Sequence, residues 1–319
     1  MTNDALHRQA EDICCPILEL RRYTLYPGRR DDLITLFDRE FVESQEAEGM
    51  RVVGQFRDMD DPGRFVWLRG FRDMESRAGA LAAFYGGPVW KAHRDEANGT
   101  MIDSDDVLLL RPAAPGAGFD LSGAVRPAAD GEATARSATN GQTTAGSATY
   151  GETTTRPTTD GETATGSETA TGSETATDGE ATAPPATDDA TTAWSVADDG
   201  PSPSLFTATI CHPDIPGDEF AGFFDDRVAP LLAETGAAPL ARLRTEHAEN
   251  TYPALPVRTG EDVFVWFSAF AGQERYDEHA ERLAHSARWV EDVLPELSAR
   301  LASPPERLYL TPTARSLLR

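Results

Sequence analysis

Two short stretches of the chain carry almost the same pattern of large apolar residues. FVWLRGF begins at Phe65, and FVWFSAF begins at Phe264. Successive side chains of a β-strand point to opposite faces, and in both stretches each face would carry large apolar groups. A strand of this kind is covered on both sides. The pattern therefore predicts one doubly covered strand in each half of the chain.

The residues around the first stretch predict a compact set of elements. Apolar alternation predicts the strands, and apolar residues at helical spacing predict the helices. In chain order these are a strand at 17–26, a helix at 33–41, strands at 50–57 and 65–71, a helix at 74–98 interrupted near 86–88, and a strand at 107–111. The order β-α-β-β-α-β is that of a ferredoxin-like unit.

The second half repeats this order. Phe65 and Phe264 are 199 residues apart, and so are Trp90 and Trp289. The predicted elements are a strand at 205–212, a helix around 220–231, strands at 240–247 and 263–270, a helix at 273–301 and a strand at 307–310. Landmarks that keep their order and spacing indicate an internal repeat. We therefore predict two βαββαβ repeats whose sheets cover each other, forming a dimeric α+β barrel within one chain.

A different composition separates the two halves. The stretch DGETATGSETATGSETATDGEATAPPATDD contains no large apolar residue that could fill a core. Such segments do not gain enough by burial to offset the entropy of ordering. We predict a disordered acidic linker rich in Thr, Ala, Gly, Glu and Ser. The predicted domains are an N-terminal tail at 1–16, repeat one at 17–112, the linker at 113–204, repeat two at 205–312 and a C-terminal tail at 313–319.

The charge of the chain limits the kinds of partner that we expect it to bind. The formal net charge is −24, and Lys91 is the only lysine. A chain this acidic repels phosphate backbones, so we expect no nucleic-acid partner. Many acids with few lysines are typical of proteins from salt-loving microbes, where salt screens self-repulsion; a genome rich in G and C is the alternative.

The lengths of the apolar runs, the first residues and the cysteine content bear on the cellular location of the protein. No run of apolar residues reaches the roughly 18 that a membrane helix needs, so we expect no membrane partner. The start, MTNDALHRQAEDICC, lacks the apolar core of a signal peptide, and cysteine is scarce. These features favour a cytoplasmic protein.

The first predicted strand carries a polar row. Glu19, Arg21 and Tyr23 share one face, and Leu18 and Leu20 share the other. If the leucines face the helices, the polar row points into the barrel. Arginine beside a carboxylate could orient a ligand carboxylate or enolate. The alternative is a buried Glu–Arg pair that fixes strand register.

Other residues are expected to join this candidate pocket. Arg69 and Trp67 would come from the third strand, and Trp266 from the equivalent strand of repeat two. We expect Trp67 and Trp266 to be buried in the same interface between the repeats. At the positions equivalent to the polar row, repeat two is expected to place Leu205, Thr207 and Thr209. The pocket would then be polar on one side only.

Histidine offers one further candidate. His93 follows Trp90 by one helical turn and could act as a base or bind haem iron, but a solvated helical histidine is the alternative. His279 and His285 are six residues apart, on different faces of a helix. No histidine or cysteine spacing supports zinc. Apart from haem as an alternative, the sequence indicates no cofactor.

Three longer stretches resemble a known family. ELRRYTLYPGRRDDLITLFDREF, FVWLRGFRD and VWKAHRDEANGTMIDSDDVLLLRP are similar to the NIPSNAP family, closely over 17–112 and more loosely over 205–312. The resemblance implies a dimeric α+β barrel. It implies little about activity, because most bacterial and archaeal relatives have no established one, although the wider superfamily includes cofactor-free monooxygenases and haem-processing enzymes.

Three functions follow as expectations. The first is a NIPSNAP-like protein that binds a small molecule in the barrel or acts as a scaffold. The second is a cofactor-independent monooxygenase that holds a small aromatic substrate with Tyr23, Arg21 and Arg69. The third is a haem-binding or haem-processing protein that uses His93. The two repeats would form an intramolecular pseudo-dimer, which could assemble further into a homo-oligomer.

Overall fold

The computed structural model describes residues 15–128 and 204–319. Most of the predicted linker (129–203) and most of the predicted N-terminal tail (1–14) lie outside the described residues. Among the described residues, no helix combines the length and the apolar character needed to cross a membrane.

The first half contains four strands and three helical stretches. In chain order they are β1 (Ile17–Leu25), α1 in three consecutive segments (Arg30–Leu36, the π-helical Phe37–Phe41 and Val42–Ala47), β2 (Arg51–Asp58), β3 (Arg64–Phe71), α2 (Met74–Gly86), α3 (Pro88–Asn98) and β4 (Met101–Pro112). Gly87 separates α2 from α3 as the sequence predicts, because Pro88 starts a new helix at its first position.

The second half follows the same order. Its elements are β5 (Leu205–Cys211), α4 in three segments (Gly217–Phe223, the π-helical Phe224–Val228 and Ala229–Thr235), β6 (Ala241–Thr245), β7 (Phe264–Phe270), α5 (Gln273–Ala284), α6 in two segments (the π-helical Arg288–Val293 and Leu294–Ser298) and β8 (Glu306–Pro312). The helix predicted as one element over 273–301 is thus two, since α5 ends at Ala284. The π-helical segments Phe37–Phe41 and Phe224–Val228 occupy corresponding places in α1 and α4.

The eight described strands close into one antiparallel barrel. Their order is β1-β3-β2-β8-β5-β7-β6-β4. The halves join at two seams, where β2 pairs with β8 (Phe56 opposite Pro312) and β4 pairs with β6 (Leu110 opposite Thr245). Closure gives every strand two neighbours and leaves no free edge. The predicted α+β barrel within one chain is confirmed.

Apolar side chains from both halves fill the barrel. Leu18 and Leu20 are buried there with residues of the second half, and the rings of Phe56 and Phe206 meet with centroids 5.4 Å apart. The expectation that Leu18 and Leu20 face the helices is therefore wrong, and the polar row of β1 does not point into the barrel. Alternation fixes the period of a strand, but it does not by itself fix which face lies inside the barrel.

The two repeated tryptophans also lie outside the barrel interior. Trp67 packs on Phe37 of α1, with ring centroids 4.8 Å apart. Trp266 packs on Phe224 of α4 at 4.9 Å. Each tryptophan thus belongs to the layer between the sheet and the helices of its own half. The expectation of a shared tryptophan interface is wrong for the same reason as the assignment of the leucines.

Two segments outside the predicted repeats complete the core. Residues 113–128, which the sequence assigns to the linker, place Phe119 and Leu121 in the barrel core, and Phe119 lies against Phe267 at 5.1 Å. Residues 313–319, predicted as a tail, bury Leu317 in the same core. There the Leu318 N–H donates to the Val53 carbonyl at 3.2 Å. The change in composition after Pro112 therefore lies within the folded part of the chain rather than at its end.

Candidate functional site

The layer between sheet and helices in the first half contains a charged cluster centred on Glu19. Arg21 donates from Nη1 to Oε2 at 2.7 Å, and Arg69 donates from Nε to the same oxygen at 2.8 Å. Arg77 donates from Nε to Oε1 at 2.7 Å. All four side chains are at most 1% exposed. We call these four residues the Glu19 cluster.

Strand register and a helix start bring the cluster together. In the pairing of β1 with β3, Glu19 lies opposite Arg69 and Arg21 lies opposite Trp67. Asp73 caps α2 by accepting the Ser76 N–H at 2.6 Å, and Arg77 follows in the first turns of that helix. Arg77 was missed by sequence reasoning, because an arginine near a helix start is usually exposed.

Neutral groups surround the cluster. The Tyr23 hydroxyl accepts from Arg21 Nε at 3.1 Å, and Gln45 Oε1 accepts from Arg69 Nη1 at 3.1 Å. Burial alone would raise the pKa of Glu19, but the charges of Arg69, Arg21 and Arg77 outweigh it and hold that pKa well below its usual range. Burial raises the pKa of Tyr23, so this phenol is neutral near pH 7.

A loop from the second half covers the cluster. The β6–β7 loop (246–263) contains an insertion that has no counterpart in the first half. In this loop Asn250 Oδ1 accepts from Arg77 Nη1 at 2.9 Å, and Thr251 Oγ1 donates to the Met74 carbonyl at 3.0 Å. Tyr252 stacks on Tyr85, with centroids 6.1 Å apart and planes 22° apart. The first-half layer is thus closed by the other half.

The space left beside the Glu19 cluster is small. A cavity of about 30 Å³ is lined by aromatic residues with Gln45. Tyr23 and Trp67 are among them. Since ligand pockets for organic molecules usually measure about 300–1,000 Å³, this space does not suit an aromatic substrate. The geometry favours the alternative in which the Glu–Arg pairs fix the register of β1 and β3.

His93 lies away from this cluster. Its Nε2 is 3.5 Å from Glu40 Oε2, and its Nδ1 is 3.6 Å from Glu96 Oε2. Two carboxylates beside a partly exposed imidazole suit a surface ion pair rather than the apolar contact that a haem face needs. In the described ranges, no group of three or more His, Cys, Asp or Glu side chains could hold a metal ion.

The corresponding layer of the second half is open. It holds a cavity of about 480 Å³ between the sheet and helices α5 and α6. The sheet side carries Thr207, Thr209 and Ser268, and the walls carry aromatic and aliphatic groups. The main apolar wall residues are Trp266, Phe270, Trp289, Leu232, Leu283 and Leu297. We call this space the second-half cavity.

Strand register shows why this layer is open. Thr209 lies opposite Trp266, as Arg21 lies opposite Trp67. Thr207 therefore corresponds to Glu19, and Ser268, its partner in β7, corresponds to Arg69. The equivalence expected from sequence, in which Leu205, Thr207 and Thr209 match Glu19, Arg21 and Tyr23, is two residues out of register. Short hydroxyl side chains stand where the first half has a carboxylate and guanidinium groups.

The polar groups of the second-half cavity are few. Thr207 and Thr209 line it with hydroxyl side chains. His279 Nδ1 is buried and has no hydrogen-bond partner among the described residues. Burial lowers the pKa of His279, which keeps the imidazole neutral near pH 7.

Tyr276 and Arg307 line this cavity at its rim. The hydroxyls of Tyr276 and Tyr309 are 2.9 Å apart, and Arg307 Nη1 donates to Tyr276 at 3.5 Å. Among the described lining residues none is acidic. Sequence reasoning considered His279 only as a metal ligand and missed the cavity. The sequence signal that could have revealed the cavity was the loss of Glu and Arg from the second copy of the polar row.

The barrel and its two sheet–helix layers define the class of the protein as an α+β barrel with two ferredoxin-like halves. Residues 18–115 match the family model described as NIPSNAP, so the first half carries a NIPSNAP domain. The match ends before β5, so a NIPSNAP-like origin of the second half stays a prediction. No curated protein matches the chain.

Several solved structures are similar to the chain. A candidate monooxygenase from Lactobacillus acidophilus is 12% identical with a TM-score of 0.44, covering 93% of this chain and 94% of that one. An anthrone oxidase-like protein is 11% identical with a TM-score of 0.42, covering 93% and 91%. A NIPSNAP domain protein from Burkholderia xenovorans is 19% identical with a TM-score of 0.29, covering 31% and 95%. At these values the likenesses carry no argument about function.

Proposed function

We propose that the protein binds a small aromatic molecule, neutral or with one negative charge, in the second-half cavity. The observation that carries this proposal is the cavity itself. Its volume of about 480 Å³ falls in the range of about 300–1,000 Å³ usual for ligand pockets. Mainly aromatic and aliphatic walls with a few polar groups are also usual for such pockets.

The polar groups indicate the class of ligand. The hydroxyls of Thr207 and Thr209 can donate to a carbonyl or accept from a hydroxyl deep in the cavity. Arg307 at the rim can pair with a carboxylate or phenolate. A cationic ligand would find no carboxylate among the described lining residues. We therefore favour hydroxylated aromatic compounds and aromatic acids over aromatic amines.

The first half would then act as the scaffold. The Glu19 cluster fills the position that the cavity occupies in the second half, and its three arginines all bond to Glu19. A rigid half beside a ligand-binding half combines the two alternatives of the first function expected from sequence, but places the ligand between sheet and helices rather than in the barrel interior.

A ligand panel tests this function directly. Titrating the protein with naphthols, hydroxybenzoates and matched aromatic amines should give saturable quenching of tryptophan fluorescence by the hydroxyl and acid classes, because Trp266 and Trp289 line the cavity. Calorimetry should confirm one site. Failure of every class to bind, or equal binding of the amines, would contradict the proposal.

A substitution that fills the cavity, compared with a conservative one at the same position, tests where the ligand binds. Ala280 lines the cavity, and the corresponding residue in the first half is the buried Leu81. Ala280→Phe should abolish binding and keep the circular dichroism spectrum, whereas Ala280→Ser should bind like the wild type. Undiminished binding by Ala280→Phe would place the ligand elsewhere.

One observation favours a second candidate, a cofactor-independent oxygenase. The neutral imidazole of His279 lines an aromatic cavity, and its Nδ1, which has no hydrogen-bond partner among the described residues, could take the proton of an acidic phenol or enol. The resulting anion would be the electron donor to molecular oxygen. Oxygen consumption with electron-rich phenols should then depend on His279 and be lost in His279→Asn, while ligand binding is retained. Binding without oxygen consumption would rule out the oxygenase and retain the binding function.

A further inference from the structure

The Glu19 cluster contains more positive charge than its carboxylate neutralises. Arg21, Arg69 and Arg77 are buried against one carboxylate, and arginine stays protonated in proteins. Their other partners are neutral: the Ser104 carbonyl, the Tyr23 hydroxyl and the side chains of Gln45 and Asn250 accept from them. Two positive charges therefore remain without a counter-charge in contact, and burying unpaired charge is costly.

The same place contains donors that nothing in the described chain accepts from. Arg69 Nη2, Arg77 Nη2 and Trp67 Nε1 are buried without a hydrogen-bond partner among the described residues. In folded proteins roughly 90% or more of buried polar groups are hydrogen-bonded. Three such donors in and beside the Glu19 cluster are a departure from that rule, and Trp67 Nε1 is the one whose side chain lines a cavity.

A space of suitable size lies beside Trp67. The cavity of about 30 Å³ is lined by Trp67 and by Tyr23 and Gln45, the side chains that accept from Arg21 and Arg69. One water-sized body needs roughly 10–15 Å³. The guanidinium carbons of Arg69 and Arg21 lie 5.1 and 5.6 Å from the centre of the Trp67 ring. The space therefore admits a single-atom ion under a positive potential but not an organic acid.

We propose that the Glu19 cluster binds a small inorganic anion of the size of chloride. The indole N–H of Trp67 donates to the ion, and the charges of Arg21 and Arg69 attract it. A water molecule fits the space equally well but leaves the two positive charges uncompensated, so the charge favours the anion.

Thermal unfolding at constant ionic strength tests the site. The full chain is heated in mixtures of sodium chloride and sodium gluconate, because gluconate is too large to enter. Chloride should raise the Tm by about 5–10 °C at a hundred-fold excess over its Kd, and the effect should saturate. The same Tm in both salts would overturn the proposal.

Two matched variants and a diffraction measurement locate the ion. Trp67→Phe keeps an aromatic ring but removes the N–H, so most of the chloride shift should disappear. Trp266→Phe makes the same change beside Thr209, where the opposite arginine, Arg242, is paired with Asp225, and should keep the full shift.

In crystals of the wild type soaked in sodium bromide, an anomalous peak should lie beside Trp67. A full chloride shift in Trp67→Phe, or bromide found as an adventitious ion only at surface arginines, would refute the site. The second-half cavity plays no part in these measurements, so their failure leaves the proposed ligand function untouched.

Discussion

The Glu19 carboxylate connects three elements of the first half. Its partners Arg21, Arg69 and Arg77 come from β1, β3 and α2, and each donates within 2.8 Å. A buried ion pair contributes little when compared with an apolar replacement, but removing one member leaves the rest uncompensated. Glu19 is therefore the residue whose loss should be most damaging to this layer.

Glu19→Gln keeps the size of the side chain and removes its charge. We expect the free energy of unfolding to fall by about 3–5 kcal/mol, measured with urea, because three buried guanidinium groups lose their charge partner. The control is Asp31→Asn, which removes the partner of Arg57 at the exposed surface and should cost less than about 1 kcal/mol. Equal effects of the two variants would show that the cluster is not a stabilising unit.

Low pH should reduce the difference in the free energy of unfolding between the wild type and Glu19→Gln. The pKa of Glu19 is lower in the folded than in the unfolded protein, so its contribution is present above the unfolded value of about 4.3 and is lost as the pH falls toward the folded pKa. Urea unfolding at pH 7, 4 and 3 should show the two proteins converging. A constant gap would indicate that packing, not charge, causes the loss.

His279 should make stability depend on pH near neutrality. Burial lowers its pKa, and Arg307 and Arg282 lower it further, although the Thr235 backbone opposes them. The histidine contribution is therefore full above the unfolded pKa of about 6.5 and is lost as the pH falls below it. His279→Gln should lose less Tm than the wild type between pH 7 and 5. Equal losses of Tm in His279→Gln and the wild type would contradict this assignment.

At the scale of elements, the segments that follow β4 and β8 are part of the core. Phe119, Leu121 and Leu317 are buried with the barrel leucines. Beside them Ser316 Oγ accepts the Gln55 N–H at 3.1 Å, which continues the contact of the C-terminal segment with β2. These segments therefore stabilise the barrel although they lie outside its strands.

Shortening the chain after Pro312 tests this contribution. Truncation should lower the Tm markedly, and Leu317→Ala alone should cost about 2–5 kcal/mol, the usual range for a buried leucine. Val125→Ala, at a side chain that is 72% exposed, serves as the control and should be close to neutral. Differential scanning calorimetry gives both values, and a truncated protein as stable as the full chain would show that the segment only covers the surface.

The elements were predictable from sequence where the period was clear. Strands such as β3 and β7 alternate without interruption, and Gly87-Pro88 marks a helix boundary. The direction of each face was not predictable, because β1 places Leu18 and Leu20 on one side and a polar row on the other with no signal for which side meets the helices. Polar groups lie under the helices because arginines from β3 and α2 neutralise Glu19 there, and only the folded structure shows Arg77.

The candidate site was harder to predict for another reason. Sequence reasoning looks for residues with strong chemistry, such as Glu19, Arg21 and His93. The second-half cavity arises instead from short side chains, among them Thr207, Thr209 and Ser268. A space between helices and sheet depends on which residues lie opposite each other, and a two-residue error in register is enough to miss it.

At the scale of the whole molecule, each half provides one wall of a shared interior. The seams β2–β8 and β4–β6 supply main-chain pairing, and the apolar interior supplies burial. A half on its own would expose both seams and one apolar sheet face to water. Exposed edges and apolar surface favour association.

Separately produced halves, residues 15–128 and 204–319, test this dependence. Each half alone should self-associate or precipitate, and the two produced together should form a one-to-one complex, measured by size-exclusion chromatography with light scattering. Phe206→Ala should weaken the complex because Phe206 contacts Phe56 across the interior. Two monomeric, fully folded halves would show that the interior is not required by either.

Closure of the barrel within a single polypeptide has a consequence for how its two layers can change over generations. In an assembly of two identical chains, symmetry makes every substitution appear twice, once in each subunit. Here a codon change alters one layer and leaves the other as it was. A mutation that reshapes the space around Thr209 does not disturb the ion pairs of Glu19. The asymmetric architecture therefore lets the cavity on one side change in evolution, or be engineered, while the other side preserves the fold.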